Sequence, residues 1–118
     1  MKKIKVLLSL LVFKENDLYF VYSPTLDITG YDYSKKGAKE SFKEVLSFFL
    51  EHNLEQGTLH KELERLGWNL KQAENPIPPN LKQIVRHNKN FNELYEKQMK
   101  KQIRSMAMQS QNIELQLA

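Results

Sequence analysis

The chain has 118 residues, 41% hydrophobic and 27% charged, enough for one domain with its own core. It has no cysteine, which excludes disulfides, thiolate metal sites, a lipoprotein anchor and a cysteine nucleophile, and its three histidines are too scattered for a structural zinc site. The net charge of +4 sits in the last third: residues 1–79 carry 11 Lys/Arg against 11 Asp/Glu, whereas residues 80–118 carry seven against three.

The chain opens on MKKIKVLLSLLVF, where Ile4, Val6, Leu8, Leu10 and Val12 alternate with Lys5, Leu7, Ser9, Leu11 and Phe13. One face is fully apolar and the other mostly so, which predicts a central strand. A basic start and an apolar run also open secretory signals. Here the run is short, and the KEND that follows supplies no small-residue cleavage site. It is also shorter than the roughly 20 apolar residues that span a bilayer. The expectation is a strand, with no membrane segment, in a cytoplasmic protein.

KEND (Lys14–Asp17) predicts a turn, and LYFVY (Leu18–Tyr22) the return strand of a hairpin. Pro24 ends that strand because it cannot donate to the ladder. DITGY (Asp27–Tyr31) reads as a short third strand, with Gly30 marking a bend or bulge. Ser34 is the expected N-cap of a long helix in which Ala38, Phe42, Val45, Leu46 and Phe49 recur at helical spacing. Gly57 suits the left-handed position after that helix, and Thr58 is expected to cap a short second one, LHKELERL.

ENPIPPN (Glu74–Asn80) reads as a linker, since its prolines remove amide donors and force extended backbone. Beyond it, Leu81, Ile84 and Val85 predict a short helix. Phe91, Leu94, Tyr95, Met99 and Ile103 predict a longer one from about residue 92 to 106. NIELQLA ends the chain with a strand-like alternation over 112–117, added to the sheet or to another subunit. The expected architecture is α+β: an antiparallel three- to four-stranded sheet covered by one long helix over residues 1–75, then a basic, mostly helical extension over 76–118.

Two further patterns bear on function. Lys97, Lys100, Lys101 and Arg104 recur at three- and four-residue spacing, and with Lys82 and Arg86 they form a candidate nucleic-acid contact. Tyr19, Tyr22, Tyr31 and Tyr33 are the candidate partner surface, because aromatic side chains supply large contact area at low entropic cost. No G-x-S-x-G and no glycine-rich phosphate loop is present. A hairpin, a short strand and a crossing helix also begin the ribonuclease H-like fold, whose enzymes hold two metals with carboxylates that include one on the first strand. Residues 3–13 contain no Asp or Glu. The residues therefore predict no catalytic, cofactor or metal site.

The order of hairpin, VYSPTLDITGY, Ser-capped helix and GTLHKELERLGW, covering residues 3–68, resembles the HicB family of antitoxins. The strand pattern of that family, roughly Y-x-P-x-L-x-x-x-G, is matched by Tyr22, Pro24, Leu26 and Gly30. Ser34 stands at the family's turn Thr and Ala38 at its helix Ala. Asp32-Tyr33 departs from the Gly-Asp of the family's turn, and Lys35, Lys36 and Gly37 replace its acidic helix start. Residues 76–118 read as neither a ribbon-helix-helix nor a helix-turn-helix. The resemblance implies a partial ribonuclease H-like domain and a non-enzymatic antitoxin, possessing no cofactor, that covers the active surface of a HicA-like, mRNA-cleaving toxin and regulates its own operon. Two alternatives stand beside it. One is a regulator that binds DNA through the basic extension; the other is an orphan oligomeric structural protein. A homo-oligomer is expected, because a small sheet leaves an edge to cover.

Overall fold

The computed structural model describes residues 2–71, 76–101 and 106–117, with side chains over 8–71, 76–80 and 82–96 except 85, 87 and 95. Three strands come first, β1 (Lys2–Glu15), β2 (Leu18–Ser23) and β3 (Ile28–Asp32). Four helices follow, α1 (Lys35–Gln56), α2 (Leu59–Arg65), α3 (Leu81–His87) and α4 (Lys89–Lys101), and then β4 (Met106–Leu117). The fold is α+β, and the sheet is antiparallel with four strands in the order β3-β2-β1-β4.

Alternation along β1 sorts two cores. Leu8, Leu10 and Val12 join Val21, Leu26 and the α1 residues Ala38, Phe42 and Leu46 on one face of the sheet. Leu59, Leu63 and Leu66 of the α2 region and Trp68 complete that layer. Leu11 and Phe13, one register out, face the other way and pack with Tyr22, Ile84 and Phe91, flanked by Phe20 and Leu94. The apolar second face of β1 thus has its own cover in α3 and α4. The boundary expected near residue 76 divides the chain in sequence; in space the extension supplies the second layer and the fourth strand.

The hairpin turn is tight. Glu15 pairs with Leu18, and the two residues between them, Asn16 and Asp17, have φ of 51° and 67°. Two positive φ values give the type I′ geometry, whose twist matches the flanking strands. Gly30 makes no bulge: the β2–β3 register runs unbroken from Tyr19↔Asp32 to Ser23↔Ile28. The glycine is needed for close approach. A Cβ there would lie 2.2 Å from the backbone nitrogen of Phe42. Helix α1 therefore rests directly on the β3 backbone.

Ser34 caps α1 as expected, its hydroxyl accepting from Gly37 N–H at 3.0 Å, and Gly57 closes the helix in the left-handed region at φ 67°. Thr58 differs from its expected role. It makes no side-chain cap, and its hydroxyl donates to Asn53 Oδ1 at 2.8 Å. The first of the two later helices starts on a full capping box between Asn80 and Gln83. In the proline-rich stretch, Ile77 pairs with Asn69 through two backbone hydrogen bonds of 2.9 and 3.0 Å. β4 begins at Met106 rather than near residue 112, and it pairs with β1 along its whole length, from Phe13↔Met106 to Lys2↔Leu117. Helix α4 is Lys89–Lys101, and Met106, the expected end of that helix, is instead the first residue of β4.

Candidate partner-binding surface

The β2–β3 connection, Pro24–Asp27, is held from both layers. From the α1 side, the buried Trp68 indole N–H donates to the Thr25 carbonyl at 2.8 Å. From the other side, Asn88 at the α3–α4 junction donates through Nδ2 to Tyr22 Oη and to the Pro24 carbonyl, each at 3.0 Å. Its Oδ1 accepts from Phe91 N–H at 2.9 Å. Tyr22 Oη donates to Asp27 Oδ1 at 2.7 Å, and Asn90 donates to Asp27 Oδ2 at 3.0 Å. Asp27 takes φ 55°, which an aspartate tolerates in a turn.

Burial, and then the Asp27 carboxylate, push the Tyr22 phenol above its ordinary range, while Asn88 pulls the other way. The folded-state value exceeds the unfolded one, so the neutral phenol contributes stability that is complete below about pH 10 and is lost as pH rises beyond it. In an alkaline titration followed by phenolate absorbance, Tyr22 should ionise only with unfolding. A Tyr22 phenol that ionises reversibly while the protein stays folded would contradict this network.

These contacts decide which tyrosines are available. Tyr22 departs from the expected partner surface: only 4% of it is exposed, because its ring faces α3 and α4 and its hydroxyl is engaged. Tyr19 lies on the opposite face, half-buried against the α1 core, with Lys14 and Lys35 ammonium groups 5.4 and 5.9 Å from its ring centre. Tyr31 and Tyr33 are open, at 60% and 78% exposure. Tyr31 ends a row of rings crossing three paired strands. Phe13 stacks on Phe20 at 5.2 Å, and Phe20 meets Tyr31 at 6.0 Å. The row runs from buried Phe13 to the exposed sheet edge.

Next to that edge lies a shallow groove of about 600 Å³ between β3 and the start of α1. Asp32, Glu40 and Glu44 line it against a single cation, Lys36. Asp32 Oδ2 accepts from the Ser34 N–H and hydroxyl, each at 3.1 Å, placing a carboxylate over a helix start that has no acidic residue in its first turn. Ser41 Oγ accepts from the Tyr31 N–H at 3.2 Å, so the outer backbone of β3 is partly occupied.

The candidate nucleic-acid residues are divided between two helices. Lys82 and Arg86 are exposed one turn apart on α3, and Lys97, Lys100 and Lys101 lie on the last turns of α4. Arg104 falls outside the described residues. Phe48 was not anticipated: it is 69% exposed on α1 and stacks on His52 at 5.5 Å. Its sequence signal is its position off the apolar stripe of that helix. Among the described residues, no three His, Cys, Asp or Glu are grouped to hold a metal ion, and no helix is long and apolar enough to cross a membrane. Comparison with protein-family models, with characterised proteins and with solved structures finds no match to this chain.

Proposed function

We propose that the chain is a cytoplasmic, HicB-like antitoxin, a non-catalytic protein that neutralises a HicA-type, mRNA-cleaving toxin by covering its active surface. The observation that carries this reading is the pairing of two exposed tyrosines, Tyr31 and Tyr33, with a groove of three carboxylates against one lysine. A protein that binds and cuts mRNA must present cations to the phosphate backbone. An acidic groove flanked by aromatic anchors is complementary to such a surface in charge and in anchor chemistry. The sequence resemblance over residues 3–68 points the same way. A second reading, DNA contact through the basic extension, draws on Lys82 and Arg86, both exposed on α3.

The test is an RNA-cleavage assay with a HicA-type toxin encoded beside this chain's gene. Adding this chain should stop cleavage at a one-to-one ratio. Cleavage that continues undiminished at tenfold excess (about 10:1, beyond any stoichiometric inhibitor of nanomolar affinity) would contradict the proposal.

A further inference from the structure

The two edges of the sheet are unlike. β3 is five residues long, and its Tyr31 N–H is taken by Ser41 of α1. β4 is twelve residues long, with β1 on one side and, among the described residues, no strand on the other. Alternate residues of an antiparallel strand direct their N–H and C=O away from its neighbour, so about six residues of β4 direct their backbone groups outward. Natural edges are usually blunted by lysine, proline, shortness or a bulge. MAMQSQNIELQL has no proline and no basic residue, its only charge is Glu114, and its pairing with β1 is unbroken. The strand spans about 40 Å at 3.4 Å per residue, comparable to the longest extent of the molecule, 42 Å.

We infer that the outer edge of β4 is a dimer seam, where a second copy of this chain pairs antiparallel to make one continuous eight-stranded sheet. The occupant is a second copy because the seam is self-complementary in geometry and charge. A two-fold axis that makes neighbouring strands antiparallel must stand perpendicular to the sheet. Each side chain then keeps its face, and the central residue faces its own copy. Near full overlap that residue is Gln111 or Asn112, an uncharged amide in either register. Glu114 then faces Met108 or Ser110 of the other copy rather than Glu114. Two strands each offering about six outward residues make about 12 backbone hydrogen bonds, on the scale of the roughly 10 in a typical stable interface. The inference is independent of the antitoxin reading, since β4 and the tyrosine edge lie at opposite sides of the sheet.

The chain has no cysteine, so one introduced thiol can form a disulfide only with another copy. In the seam, a residue facing itself has a Cα–Cα distance of about 4.5–5.5 Å, within the span of a disulfide. Position 117 would be more than about 30 Å from its copy. Wild-type protein should therefore show twice the 14.0 kDa chain mass by light scattering at micromolar concentration. Either Gln111→Cys or Asn112→Cys should form a reducible dimer under mild oxidation, whereas Leu117→Cys should remain a single chain on a non-reducing gel. A wild-type mass of one chain, a dimer that neither central cysteine cross-links, or equal cross-linking at position 117 would each overturn the seam.

Discussion

Gly30→Ala is expected to destabilise the protein by more than about 3 kcal/mol, at the upper end of the cost of overpacking. The added Cβ would meet backbone rather than a flexible side chain: Phe42 N at 2.2 Å, Phe42 Cα at 2.5 Å and the Ser41 carbonyl carbon at 2.8 Å. Relief requires α1 to lift from β3, which withdraws Phe42, Ala38 and Leu46 from the core they fill. For a chain of this size that cost lowers Tm by about 10–15 °C, a large part of a stability of about 5–15 kcal/mol. Gly57→Ala is the matched control. Its φ is +67° and a Cβ there meets nothing within 4 Å, so it should cost only the left-handed backbone penalty of about 1 kcal/mol. Equal melting shifts for the two variants would show that α1 does not rest on β3 as described.

Asn88→Ala should cost about 3 kcal/mol, because it strands the Pro24 carbonyl and the Phe91 N–H in the interior at roughly 1–3 kcal/mol each. The residue is 5% exposed, ties the α3–α4 junction to Tyr22 and Pro24 through two hydrogen bonds, and accepts a third from Phe91 N–H at the start of α4. The loss should be local. Amides of α3 and α4 should exchange with solvent much faster, while those of α1 keep their protection. Asn88→Asp keeps the acceptor for Phe91 but turns a carboxylate toward Tyr22 and Asp27, so it should be no more stable than the alanine variant at neutral pH. An Asn88→Ala protein with unchanged exchange in α3 and α4 would mean that this residue does not hold the second layer.

The residues that carried the sequence resemblance turn out to be architectural. Tyr22 anchors Asn88, Pro24 offers its carbonyl to the same side chain, Leu26 is 1% exposed, and Gly30 admits α1. Such a pattern is legible because each residue answers a local steric or hydrogen-bonding demand. The strand alternation, the Ser34 cap and the left-handed Gly57 were legible for the same reason. What the sequence concealed was long-range. Asn88 reads as a polar helix break until it is found against Tyr22, 66 residues earlier. Tyr22 and Tyr31 look alike as sequence, yet one is covered by α3 and α4 while the other stands beyond their reach. The start of β4 was hidden because AMQSQ lacks β-branched residues, so its strand form comes from pairing with β1 rather than from propensity.

The antitoxin account is tested most directly by repeating the RNA-cleavage titration with Tyr31→Ala/Tyr33→Ala. Both side chains are exposed and outside the buried clusters, so circular dichroism should match wild type and Tm should fall by no more than loss of the Tyr31–Phe20 ring contact allows. If they anchor the toxin, each truncation should cost about 2 kcal/mol, and the pair should raise the inhibitory Kd at least about 100-fold. Wild-type inhibition at one-to-one, with inhibition by the folded double variant displaced that far, is the predicted result. A double variant that neutralises the toxin as well as wild type would contradict the claim that this edge is where the toxin is held.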